Sequence, residues 1–138
     1  MENTVANLLA EVKKQGRVHL TEVESKEVLK AYDIKVSTGY VASDPDTAAT
    51  VAGWLGYPVV MKILSPDISH KSDVGGVRVN LDSPEAVRTA FSEIMENAKI
   101  HKPDAYIQGI LVDQMVPEGV ELVIGATFSR QFGHAVMF

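Results

Sequence analysis

Gly56-Tyr57-Pro58-Val59-Val60-Met61-Lys62-Ile63-Leu64 and, a little further on, Ser69-His70-Lys71-Ser72-Asp73-Val74-Gly75-Gly76-Val77 decide how this chain is read. The first stretch is an apolar run interrupted by one lysine, the pattern of a buried strand. A lysine inside such a run is costly to bury unpaired. Either Lys62 stands on the exposed face of a half-buried strand, or it is aimed into a cleft at an anion, usually phosphate, which compensates its desolvation. The second stretch closes a loop of turn formers running from Ser65 to Gly76. Asp73-Val74-Gly75-Gly76 is either a plain glycine-rich connection or a nest in which successive backbone N–H groups face phosphate oxygens. His70 is either an idle surface histidine or a nucleophile toward a phosphoryl group. In the second case Asp73 is placed to orient its ring.

Outward from these stretches the chain alternates helices and strands without repeats. Upstream, Val5, Leu8, Leu9 and Val12 form a helical stripe that ends near Gly16. Thr21-x-x-Glu24 is a capping box opening a second helix whose apolar face reads Val28, Leu29 and Tyr32. A short strand is expected around Val36–Val41. Asp44-Pro45 then opens a helix with Ala48, Val51, Ala52 and Leu55 inward and Gly56 at its end. Downstream, Val77, Val79 and Leu81 alternate as a half-buried strand, and Ser83-Pro84-Glu85 starts a helix with Ala86, Val87, Ala90, Phe91, Ile94 and Met95 as core. Strands are expected over 106–116, Val120–Phe128 and His134–Phe138. This order suits an α+β (mixed α/β) architecture better than a regular doubly wound sheet. The last strand is apolar to its final residue, which reads as a truncated sequence.

Composition excludes several classes. With 46% hydrophobic and 22% charged residues in 138, the chain is neither disordered nor fibrous. It has no cysteine, so no disulfide scaffold, thiolate metal site or cysteine nucleophile is available. Thirteen Lys and Arg against eighteen Asp and Glu give a net charge of −5, a poor basis for general nucleic-acid binding. The histidines at 19, 70, 101 and 134 lack a ligand spacing, so no metal site is assigned within the chain. No apolar run approaches the ~18 residues of a membrane span, and the start lacks a signal-peptide pattern. A soluble, cytoplasmic protein is expected. The glycine fingerprints of P-loop and dinucleotide-binding folds are absent.

Gln114-Met115-Val116-Pro117-Glu118-Gly119-Val120-Glu121 has two readings. It is a hairpin turn, or it is a hinge whose backbone at Gln114, Met115 and Val116 meets an adenine edge while Glu121 accepts from ribose hydroxyls.

Taken together, Leu20–Tyr32, Gly56–Lys62, Ser69–Val77 and Gln114–Gly125 resemble the ATP-grasp fold. More narrowly, they resemble the β subunit, or β-like region, of ADP-forming acetate–CoA ligases, relatives of succinyl-CoA synthetase. The likeness runs from about residue 18 to the end, and the stretch around His70 is its most specific part. It implies a partial ATP-grasp domain over 18–138, preceded by the helix read from the apolar stripe, over 1–17. That domain would hold the first lobe, a hinge near 114–121 and the truncated start of the second lobe. By position it implies that Lys62 contacts the ATP α/β-phosphates, that the loop with Gly75 and Gly76 covers them, and that main chain near Met115 and Val116 holds adenine and Glu121 the ribose. His70 would be the phosphohistidine that carries phosphate between a partner's acyl-phosphate site and ADP. The reaction implied is acyl-CoA, ADP and phosphate going to carboxylate, CoA and ATP. The Mg2+ ligands are expected beyond the C-terminus. A CoA-binding α subunit or domain is the expected partner, in a hetero-oligomer with no role for nucleic acid or membrane, and the chain alone is expected to be inactive. A second implied function is a regulatory ATP-grasp-like region of a protein lysine acetyltransferase. A carboxylate–amine ligase is disfavoured, because it uses no phosphohistidine. Pro117 lacks an N–H, so an adenine donor must come from a neighbour such as Val116.

Overall fold

The computed structural model describes residues 2–137. Its elements in chain order are α1 (Glu2–Lys14), α2 (Glu22–Ala31), β1 (Gly39–Ala42), α3 (Pro45–Leu55), β2 (Val59–Leu64), β3 (Val77–Leu81), α4 (Pro84–His101), β4 (Gly109–Gln114), β5 (Gly125–Ser129) and β6 (Gly133–Met137). A single 3-10 turn, Ser72–Val74, lies in the loop before β3.

Helix starts follow the capping chemistry written in the sequence. Asp44 accepts from the Thr47 N–H before α3, and Ser83 accepts from the Ala86 N–H before α4, each with proline in the first turn. Thr21 completes both halves of its capping box with Glu24. Gly56 closes α3 at φ +84, a conformation that favours glycine.

β1 to β4 form one antiparallel sheet in the order β1-β4-β2-β3. The two central strands, β2 and β4, are the ones written as apolar runs, because both their edges are paired. Strand alternation sends Val59, Met61, Ile63, Ile110 and Val112 to one face, where α3 and α4 cover them with Val51, Ala52, Val87, Phe91 and Ile94. Each wholly buried aliphatic side chain there contributes roughly 2 kcal/mol of transfer free energy. The other face carries Val60, Lys62, Leu64, Leu111 and Asp113, and α2 lies over part of it through ion pairs.

Several boundaries differ from the sequence reading. β1 begins only at Gly39 and β4 only at Gly109, although the Gln108 N–H already donates to the Leu64 carbonyl of β2 at 2.8 Å. The expected stripe of α2 is not its buried face: Leu29 is 38% and Tyr32 67% exposed, and no residue of the helix is buried. Its sheet-facing residues are Glu22 and Lys26, one turn apart, so it docks by charge rather than by apolar contact. In α1, Val12 is buried, but Leu9 is exposed. The strand expected from Val120 starts at Gly125, and 115–124 has no regular structure. Glu118 and Gly119 therefore do not turn a hairpin: β4 pairs with β1 and β2, whereas β5 pairs with β6 in a separate two-stranded sheet. The strand expected over His134–Phe138 is β6, and Phe138 lies outside the described residues.

Candidate functional site

Lys62 leaves the middle of β2 between Leu111 of β4 and Val77 of β3. Its side chain keeps 26% of its surface, neither on an open face nor sealed in the core. Nζ donates to Glu22 Oε1 at 2.6 Å and to Asp113 Oδ2 at 3.4 Å. Asp113, on β4, is 1% exposed. Its Oδ2 accepts from Lys26 Nζ at 2.5 Å and from Ser37 Oγ at 3.1 Å, and its Oδ1 accepts from the Gln114 N–H at 3.0 Å, so the buried carboxylate is paired. Lys71, in the His70 loop, donates to the other oxygen of Glu22 at 3.1 Å. Among the described residues no buried side-chain polar atom lacks a partner.

Three ammonium groups thus surround Glu22 and Asp113, and Asp73 adds a third carboxylate at the cavity itself. Burial works against the charge of Glu22, but the hydrogen bonds and charges of Lys62 and then Lys71 outweigh it. Its carboxyl therefore lies below the usual range. Lys62 and Lys71 border a cavity of about 330 Å³ that also touches His70 and Asp73. Such a recess suits an anion that takes Lys62 in exchange for Glu22.

His70 is exposed at the rim of this cavity. It also borders a second recess of about 210 Å³ that reaches Lys102, so it stands on a ridge between two hollows. Among the described residues no hydrogen bond joins its ring to Asp73, the orienting partner read from the sequence. Gly75 and Gly76 sit behind the cavity rather than on its wall. The Gly75 N–H donates to the Ser72 carbonyl at 3.1 Å and the Gly76 N–H to the Lys71 carbonyl at 2.8 Å, so neither faces a ligand in this conformation. A close approach fixes Gly76 as glycine: an added Cβ would lie 2.5 Å from Ile63 Cγ2 and 2.9 Å from the Lys71 carbonyl oxygen.

The second group of expected residues follows β4. Gln114 ends that strand opposite Val59, three residues along from the Leu111–Lys62 pair, or roughly 10 Å at the usual strand rise. Met115, Val116 and Glu121 line a concavity of about 600 Å³ formed by the 115–121 segment itself. The structure therefore gathers the expected residues into two clusters, one around Lys62 and His70 and one along the hinge segment, with Gln114 between them.

The sequence reading missed Glu22, Lys26, Ser37 and Asp113. For Asp113 a signal existed: it is a lone acid in the run Gly109-Ile-Leu-Val-Asp-Gln114, the counterpart of the lone base in β2. For Glu22 there was none beyond an acid in the first turn of a helix.

Comparison with known proteins adds the family. The model described as ATP-grasp domain matches residues 11–138. The beta subunit of ADP-forming acetate–CoA ligase II of Pyrococcus furiosus is 44% identical over 138 residues, covering 100% of this chain and 58% of that protein. The dinucleotide-forming acetyl-coenzyme A synthetase 1 of Ca. Korarchaeum cryptofilum, solved with coenzyme A, Ca-AMPCP and HgCl+, is 47% identical with a TM-score of 0.89, over 94% of this chain and 57% of that one. The same enzyme has been solved with coenzyme A and Mg-AMPPCP, its phosphohistidine segment pointing towards the nucleotide-binding site. In that form it is 42% identical with a TM-score of 0.75, over 96% of this chain and 55% of that one. This chain spans little more than half the length of these relatives. Among the described residues no helix is long and apolar enough to cross a membrane.

Proposed function

This chain belongs to the ATP-grasp domain family, and on that premise we propose that it is the nucleotide-binding part of an ADP-forming acyl-CoA ligase. The observation that carries the reading is the recess where Lys62, Lys71 and His70 meet, in a chain similar along its whole length to a β subunit of such a ligase. Lys62 exchanges Glu22 for the α/β-phosphates of ATP or ADP. Met115 and Val116 offer main chain to the adenine, beside Gln114, and Glu121 takes the ribose hydroxyls. Gly75 and Gly76 let the loop fold over the phosphates once it leaves its present internal bonds.

His70 carries the phosphoryl group. Its unprotonated ring nitrogen attacks an acyl phosphate held by a CoA-binding partner subunit or domain. The N–P bond forms as the P–O bond breaks, and the carboxylate leaves with the electron pair. A terminal phosphate oxygen of ADP then attacks phosphorus, the N–P bond breaks, and ATP and the free imidazole result. Mg2+ would neutralise phosphate charge in such a reaction. Among the described residues no group of three acids or histidines is placed to hold it. The regulatory reading within a lysine acetyltransferase gains no support from the relatives, which are ligases.

Labelling tests the proposal. The complete ligase, incubated with ATP labelled in its terminal phosphate, should yield an acid-labile, base-stable label that maps to the peptide holding His70. His70→Ala should lose the label and ATP formation while still binding ATP. Turnover equal to wild type in His70→Ala would return this residue to an idle loop position.

A further inference from the structure

We propose that Glu22 is a positioning residue that fastens the His70 segment to the wall carrying Lys62, one carboxylate oxygen for each lysine. The proposal deepens the ligase reading and rests on it for its importance to the reaction, but not for its geometry.

The segment is anchored at both ends. Ile68 is 4% and Val74 7% exposed, both within the core. The Asp67 carboxylate accepts from the Tyr106 N–H at 2.7 Å, and the Gly76 carbonyl accepts from the Ile63 N–H at 2.7 Å. Between these anchors, among the described residues, the side-chain tie from Ser69 through Ser72 is that of Lys71 to Glu22. Adjacent residues of the loop share one backbone, so the Lys71 tie also sets where His70 sits.

The mount is rigid. Glu22 is the first residue of α2, directly after the Thr21 cap. That turn is pinned by Glu24, which accepts from the Thr21 N–H at 2.7 Å and from Arg17 at 2.9 and 2.6 Å. The tie is also shielded: Glu22 and Lys71 keep 19% and 22% of their side-chain surface, unlike the open Lys14–Glu11 pair of α1. An ionic tie suits a carrier. It holds His70 beside the Lys62 recess yet yields to competing charge, which an apolar anchor does not.

Hydrogen exchange over residues 67–76 in the full-length protein tests this, with Glu22→Gln and Lys71→Met as release variants and Lys71→Arg as the conservative rescue. Both release variants should raise exchange there about three- to tenfold, as for loss of a partly shielded ion pair, with β2 and α4 unchanged. Lys71→Arg should stay near wild type. The double variant should exchange no faster than either single one, because both break one link. Added salt should raise exchange in wild type but not in Glu22→Gln. Wild-type exchange in Lys71→Met overturns the proposal, as does an increase in Glu22→Gln spread over the whole fold with none in Lys71→Met. In the complete ligase at saturating ATP, Lys71→Met should slow labelling of His70 and Lys71→Arg should restore it, since the residue acts through the segment. If wild type takes no label at His70, the ligase reading fails while the exchange results still decide the fastening.

Discussion

Lys62 is paired inside an apolar strand because two acids from different elements reach it, Glu22 from α2 and Asp113 from β4. Removing Lys62 orphans neither acid: Glu22 retains Lys71, and Asp113 retains Lys26 and Ser37. Lys62→Met should therefore leave the fold intact and weaken nucleotide binding. A lost charge-assisted hydrogen bond is worth about 1.5–3 kcal/mol, or roughly ten- to over a hundredfold in dissociation constant. Calorimetric titration with ADP, beside a melting curve, checks both halves, and unchanged affinity in the folded variant would sink the phosphate role. This residue was legible because a base in a buried strand must be explained. Asp113 was equally legible by the same rule. Glu22 was not, since what makes it part of the site is the packing of α2 over β2, which no local spacing records. The inward N–H groups of Gly75 and Gly76 were invisible for the same reason: the pattern Asp-Val-Gly-Gly fixes a turn but not which way its donors face.

At the scale of elements, α2 shows both what sequence decides and what it does not. Its start is fixed by local chemistry, and the capping box was read correctly. Its orientation was misread, because the apolar pattern at Val28, Leu29 and Tyr32 is weaker than the pull of Glu22 and Lys26 on the charges beneath. The first turn also carries an acid-sensitive lock. Hydrogen bonds from Arg17, opposed by burial and aided by Thr21, hold the Glu24 carboxyl at about 2, below its ordinary 4.5. A carboxyl lowered in the fold adds stability above its unfolded pKa, and that stability fades as pH falls from about 4.5 toward 2. Melting temperatures from pH 7 to pH 2 should drop more steeply in that window for wild type than for Glu24→Gln. Glu22, lowered too, titrates in both proteins and cancels from the difference. Parallel curves would remove the lock. The loop before β3 gives a steric test. Gly76→Ala drives a methyl into Ile63, which the sheet fixes, and into the Lys71 carbonyl, to which the Gly76 N–H is bonded, and should cost about 1–3 kcal/mol in urea unfolding. Gly53→Ala in α3 meets nothing within 4 Å and should stabilise by up to about 1 kcal/mol. Equal behaviour of the two would mean the close approach is not felt.

Across the whole molecule, the sheet with α3 and α4 holds the apolar core, while 115–124 links it to the β5–β6 hairpin. Val116, Val120, Leu122, Val123 and Ile124 are each at least 66% exposed, so little packing protects this linker. Backbone without ladder or core contacts opens at low cost and is cut first by proteases. A low dose of a broad protease should therefore cleave within 115–124 and leave a fragment ending near Gln114 that keeps its helical circular dichroism, because the core residues all precede that point. The proposed nucleotide pose adds a second outcome. Phosphates on Lys62 and adenine at Met115–Val116 would tie the linker to β2 through one ligand, since β4 carries the chain from the Lys62 register to Gln114 in three residues. A ligand at its dissociation constant protects a site about twofold, and at a hundred times that concentration about a hundredfold, provided cleavage needs the free form. ADP should thus slow cleavage of the linker in proportion to occupancy. Inorganic triphosphate, which lacks adenine, should occupy the recess and leave the linker cut at its original rate. Equal protection by the two would place the whole ligand at Lys62 and remove the adenine role from Met115 and Val116. No protection by a nucleotide that demonstrably binds would do the same.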